Sequence, residues 1–380
     1  NNVFRYGGCA ESGSAAITYI LWGVTYTMMD IPYWSMIPAF TKSGKEREGL
    51  TTLARSCAGV GSALVTIFAV MIVGAIGKAI AGADATSKQV DIAGFKWLAL
   101  IIAILFVVFI VITCINIKES ATVDMESPSV GQMFKALFAN DQAMTIVIAI
   151  VLINCSIYIT SNLVIYFFKY DFGGEAWRLS YTYFNMFGGA IQILSMMIFY
   201  PLLRKFASNV KIFYICLASA IIGYAVLFTI AFVNMSNVFI LFIPGFFIFA
   251  ANGVLQVLTT VFLANTVDYG ELKNGRRDES VIFSMQTFVV KLASGIAAMV
   301  ASICLSLNHL QSDTGDDAQQ LYDFAKDVAQ SSKLGLRMTM TIIPIIGLII
   351  AILVFKIKFL LTEEKMNEIS KELQSKKEQA

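Results

Sequence analysis

Long apolar runs broken by short polar connections set the pattern of this chain. About nine of these runs are long enough to be membrane-crossing helices, since roughly 20 predominantly apolar residues suffice. They cover 16–40, 53–77, 98–116, 143–168, 179–203, 210–233, 238–267, 280–306 and 338–360. Thr41 to Thr52 reads as a polar connection carrying Lys42, Lys45, Glu46, Arg47 and Glu48. Between the third and fourth runs, the stretch SPSVGQMFKALFANDQ places Val130, Met133, Phe134 and Leu137 on one side, the pattern of a short amphipathic helix at the membrane surface.

Charge in the connections sets an orientation. Lys and Arg gather in alternate loops, at Lys42, Lys45 and Arg47, at Lys118 and Lys135, at Arg204, Lys205 and Lys211, at Lys273, Arg276 and Arg277, and in the Lys-rich tail. The positive-inside rule makes those loops cytoplasmic. The acidic connection 308–333, with Asp313, Asp316, Asp317, Asp323 and Asp327, is then expected outside.

Composition agrees with an all-α polytopic membrane protein. The chain is 57% hydrophobic and 14% charged, with a mean hydropathy of +0.71, where a soluble domain carries about 25% charged residues. No basic stripe points to a nucleic-acid partner. Membrane lipid is the expected surround. Six cysteines sit mostly in apolar runs, without metal-ligand spacing, and read as packing residues. The one histidine, His309, falls in the outer connection, and HExxH, GxSxG and phosphate-binding glycine loops are all missing from the sequence. An enzyme is not expected, nor a cofactor.

Two charges inside apolar runs demand a role, because a charge near the bilayer centre costs on the order of 2.5 to 3.5 kcal/mol on insertion scales. The first is Asp30. Tyr26, Asp30 and Trp34 recur every four residues, with Thr27 and Tyr33 beside them, so one helix face offers a carboxylate between aromatic rings. A sugar suits that face, its hydroxyls donating to the carboxylate and its apolar ring face lying on an aromatic. A structural ion pair with a cation on another helix is the plainer alternative. The second charge is Lys291, with Gln286 and Thr287 near it, which either meets substrate or neutralises a carboxylate. Arg55 is either a cavity charge or an interfacial residue. Asp268, Glu271, Arg277 and Glu279 mix signs at the inner ends of two adjacent runs, where paired charges could latch a mouth. A solvated loop is the alternative there.

At these residues the chain resembles a known family. TYILWGVTYTMMDIPYWSMIP with KEREGL and Arg55, the ANDQ segment, and VDYGELKNGRRDES followed by MQTFVVK are similar to the glycoside-pentoside-hexuronide cation symporters of the major facilitator superfamily, above all to the melibiose-carrying members. The resemblance implies a twelve-helix fold of two six-helix bundles rocking about a central site, moving a galactoside such as melibiose inward with Na+, Li+ or H+ across the bacterial inner membrane. It implies sugar contacts at Tyr26, Asp30, Trp34, Arg55, Thr287 and Lys291, with Gln286 beside them, and a cation ligand at Thr27. By the same likeness, the chain starts near the family's fourth helix, and the other cation ligands are expected on three helices upstream. Residues 1–116 are then three spans of the N-terminal bundle, 117–142 a cytoplasmic linker, 143–361 the C-terminal six-helix bundle and 362–380 a cytoplasmic tail. The family's Trp and Asp before the DYGE motif are replaced by Gln256 and Asn265, which leaves the particular sugar open. The competing expectation is a transport-inactive sensor or scaffold that keeps the fold's remnant.

Overall fold

A computed structural model describes residues 3–41, 44–82, 87–116, 131, 138–172, 177–233, 237–275, 279–310 and 328–379. Nearly all of them are helical. The order is α1 (Val3–Phe40), α2 (Gly44–Ala81), α3 (Ser87–Asn116), α4 (Asp141–Tyr166), α5 (Trp177–Leu194), α6 (Tyr200–Arg204), α7 (Asn209–Val233), α8 (Val238–Asn274), α9 (Glu279–Leu307), α10 (Gln330–Lys358) and α11 (Glu363–Gln379). Two wider π-helical stretches, Phe167–Phe172 and Ser195–Phe199, extend α4 and join α5 to α6. Among the described residues, 7 helices are long and apolar enough to cross a membrane, all from α3 onward; α1 and α2, each 38 residues long, extend over the first two expected runs but are not among those seven. This is a multi-pass membrane protein.

The helices are taken as two sets, α1–α3 and α4–α11, with α1 itself packed chiefly on α9. Within the first, α2 and α3 pack as an antiparallel pair with backbones nearly touching. A Cβ at Gly77 would fall on the Val90 carbonyl, and one at Gly94 on that of Val73, which is how helices associate where lipid supplies no hydrophobic drive. The span Ile92–Asn116 buries none of its apolar window, so α3 turns a wholly apolar surface outward. In the second group α4 packs on α9 and α10, and α8 on α5 and α7. Its inner end is filled by Phe213, Phe262, Phe355 and Phe359, with Phe355 centred 4.2 Å from both Phe213 and Phe359.

Three polar segments fold differently from expectation. The connection 41–52 is helical from Gly44, so Arg47 and Glu48 belong to the first turns of α2, where Glu46 suits the helix dipole. The DYGE motif lies in the last turns of α8 rather than in a loop. That helix ends only at Gly275, whose φ of 67° forms a left-handed cap with its N–H on the Glu271 carbonyl. The ANDQ motif opens α4. Asn140 caps it by accepting from the Ala143 N–H (3.0 Å) and donating to the Thr266 carbonyl (2.8 Å), while Gln142 bridges to the Lys358 carbonyl and the Leu360 N–H. One short motif thus ties the ends of α4, α8 and α10 together. Val130, Met133, Phe134 and Leu137 of the expected amphipathic helix, and the acidic residues 313–327, lie outside the described residues.

Candidate functional site

The site is built on the seam where α1 and α2 meet α8 and α9. On α1, four-residue spacing stacks Tyr26, Asp30 and Trp34 along one face. The indole N–H of Trp34 donates to Asp30 Oδ1 (2.9 Å), and the Tyr26 hydroxyl reaches the same oxygen at 3.4 Å. The second carboxylate oxygen accepts from Thr287 on α9 at 3.3 Å. Asp30 therefore joins the two helix groups while staying partly exposed.

Arg55 settles as a seam residue. It donates to the Thr260 hydroxyl of α8 at 2.8 and 3.1 Å and lies with its guanidinium carbon 3.8 Å above the Trp34 ring. Trp34 is consequently only 8% exposed. In this state Arg55 covers the ring face of Trp34 that was expected to meet a sugar, and Asp30 takes its N–H. The open aromatic surface belongs to Trp22, 53% exposed and stacked on Tyr26 at 5.5 Å. Lys291 stands beside both rings, 5.4 Å from Trp22 and 5.3 Å from Tyr26. Asp30 and Lys291 form no ion pair among the described residues, so the plainer reading of Asp30 as that lysine's structural partner is not met here. Gln286 is buried one position before Thr287. The Thr27 hydroxyl donates to its own helix at Gly23 (2.7 Å), leaving its oxygen lone pairs for a cation. Among the described residues no cluster of three or more His, Cys, Asp or Glu completes a cation site.

At the end that collects the Lys and Arg loops, the seam is closed by charge. Arg47, 4% exposed, pairs with Asp268 at 2.8 Å and also donates to Asn265 at 3.1 Å. Glu48 receives two N–H groups of Arg204 (2.8 and 3.1 Å) and the Asn209 amide (2.6 Å). Arg204 also reaches Glu363 at 3.0 Å, drawing in α11. Asp268, one of the charges expected at the inner mouth, is thus paired with Arg47. Glu271 sits partly buried in the last turns of α8, Glu279 is buried in the first turn of α9, and Arg277 lies outside the described residues. Thr260, Trp22, Arg47, Glu48 and Arg204 were not singled out as site residues. Only the open ring of Trp22 shared a pattern with the rest, four residues before Tyr26.

A bundle of apolar helices thus brings carboxylate, guanidinium, ammonium and aromatic groups to one seam, with ion pairs at one end. Comparison with known proteins gives the family. A family profile described as MFS/sugar transport protein matches residues 3–363. The chain belongs to this family, the glycoside-pentoside-hexuronide branch of the major facilitator superfamily. It is similar to a lactose permease of Lactobacillus delbrueckii subsp. bulgaricus (27% identity over 97% of this chain and 57% of the relative) and to a raffinose carrier protein of Pediococcus pentosaceus (30%, 94% and 53%). It is also similar to an isoprimeverose transporter of Lactiplantibacillus pentosus (26%, 81% and 61%). The chain spans little more than half the length of the first two.

Proposed function

We propose that this chain is part of a cation-coupled sugar symporter that imports a galactoside such as melibiose by alternating access, using Na+, Li+ or H+, in the bacterial inner membrane. The observation that carries the reading is Asp30, a carboxylate held at the seam by Trp34, Tyr26 and Thr287. Sugar hydroxyls donate to that carboxylate, and Arg55 and Lys291 donate to sugar oxygens, while the Trp22 and Tyr26 rings lie under the apolar ring face. Relatives named for lactose, raffinose and isoprimeverose support a glycoside. The transport-inactive alternative finds no support among relatives named as permease, carrier and transporter.

Arg55 supplies the link between binding and motion. Its bonds to Thr260 cross from α2 to α8, so a sugar that draws the guanidinium away loosens the seam. The Arg47–Asp268 and Glu48–Arg204 pairs hold the inner end shut in the present state, and they part when the groups rock. Uptake of labelled galactosides by cells expressing the intact gene, with and without a Na+ gradient, tests the assignment. Accumulation that depends on the cation is expected. Equal uptake in vector-only cells under Na+, Li+ and acid conditions would overturn it.

A further inference from the structure

The outer half of the second helix group contains a polar place that the transport reading leaves unused. A cavity of about 120 Å³ lies among α4, α5, α7, α8 and α10. Its wall is largely phenylalanine and aliphatic, yet six polar side chains border it: Thr160, Ser161, Asn185, Gln192, Tyr224 and Asn252. Tyr224 is 1% exposed, and its hydroxyl, which lies beside that of Thr160, meets no partner at full hydrogen-bonding geometry among the described residues. Thr160 gives its own hydrogen to the Met340 carbonyl at 2.8 Å, and Asn185 gives one amide hydrogen to the Tyr181 carbonyl at 2.9 Å, which leaves oxygen acceptors on the wall.

Leaving a buried hydroxyl unbonded costs about 1–3 kcal/mol. Of the amides, Asn185 is exposed and Gln192 and Asn252 are half-buried, so the unmet cost rests chiefly on the Tyr224 hydroxyl. A dry void is stable when its lining is apolar; a void lined by several donors and acceptors recruits water, each molecule making about three hydrogen bonds. At about 30 Å³ per molecule, 120 Å³ has room for about four. The helices around it are shaped accordingly. Phe167 and Phe168 of the first π-helical stretch line the cavity, and the second, Ser195–Phe199, begins three residues after Gln192. Such widened turns recur at functional positions.

We propose that this cavity is a built water site, in which about four ordered waters join the Tyr224 hydroxyl to the amides of α5 and α8. The waters give those amides partners that can rearrange, so α5 can shift against α8 without stranding a polar group in the membrane. The site is independent of the sugar role of Asp30.

Synchrotron radiolysis of the wild-type chain in nanodiscs tests it, because hydroxyl radicals then form from bound water in place. Tyr224 is expected to be oxidised at least about tenfold faster than Tyr200, which is 2% exposed and bonded to Asn209, and nearly as fast as the 45% exposed Tyr183. Tyr224 protected as fully as Tyr200 would overturn the proposal. The sign of a second measurement is equally decisive. If water is present, Tyr224→Phe removes an anchor and lowers the melting temperature by about 1–3 °C. If the cavity is dry, the same change deletes an orphan hydroxyl, and a higher melting temperature refutes the water site.

Discussion

Replacing Arg47 by Gln should unlock the inner end of the seam. The guanidinium is 4% exposed, and its partner Asp268 is 14% exposed across 2.8 Å. Screening by salt is therefore weak. Removing one member of a buried pair costs about 3 kcal/mol or more, because the remaining carboxylate has given up its water and loses the Arg47 guanidinium. That loss falls on the closed arrangement alone, since the open one separates the two residues anyway. About 3 kcal/mol corresponds to on the order of a hundredfold in the closed-to-open ratio, enough to bring a 99:1 preference near parity. The Glu48–Arg204 pair remains, with side chains 15% and 27% exposed, and should keep the end from opening fully. Thr51, fully buried about one helical turn beyond Arg47, is the reporter. In a chain freed of native cysteines, Thr51→Cys should be alkylated slowly from the inner side, and on the order of tenfold or more faster once Arg47→Gln is added. Exchanging the charges, Arg47→Asp with Asp268→Arg, should restore protection. An unchanged alkylation rate in Arg47→Gln would refute the latch.

Two further outcomes follow from the same structure. Asp171 and Arg337 form a bidentate pair at 2.6 and 2.7 Å, with side chains 0% and 11% exposed, across α4's π-helical end and α10. Asp171→Asn should lower the melting temperature in detergent by an amount equivalent to about 3–5 kcal/mol, while Asp171→Leu with Arg337→Met recovers most of it; an unaltered single variant would show the pair to be idle. Single cysteines at Asp316 and at Lys45 should react with an impermeant reagent from opposite sides of the membrane, and labelling of both from outside would contradict the loop-charge orientation.

How much of this was legible in the chain depended on the range of the interaction. The apolar runs announced the helices because each is a local property of some twenty residues. Tyr26, Asp30 and Trp34 announced a shared face because helical spacing is also local. Thr260 carried no such sign. It is an ordinary threonine in an apolar run until Arg55, 205 residues earlier, donates to it. Arg47 and Glu48 looked like loop charges because their partners, Asp268 and Arg204, lie 221 and 156 positions away. The covering of Trp34 by Arg55 was hidden for the same reason: both residues were expected at the site, but their order of stacking is set by how α2 packs on α1. The π-helical turns have no compositional signature, and the cavity they border could not be anticipated from the scattered Asn185, Gln192 and Asn252 alone.

The central claim is that Asp30 binds sugar, and Asp30→Asn tests it most directly. Asparagine keeps the size and one acceptor oxygen for Trp34 or Thr287, so membrane abundance should hold. Charge-assisted hydrogen bonds contribute about 1.5–3 kcal/mol each, roughly twice a neutral one. Losing the charge at a contact with two sugar hydroxyls should thus weaken sugar affinity by about tenfold to a few hundredfold, with cation affinity little changed. A purely structural Asp30 reverses the pattern: abundance falls in Asp30→Asn, returns when Lys291→Met is added, and sugar affinity in the surviving protein stays normal. Equilibrium binding of a labelled galactoside to both variants, normalised to protein in the membrane, separates the two, and normal affinity in Asp30→Asn contradicts the account.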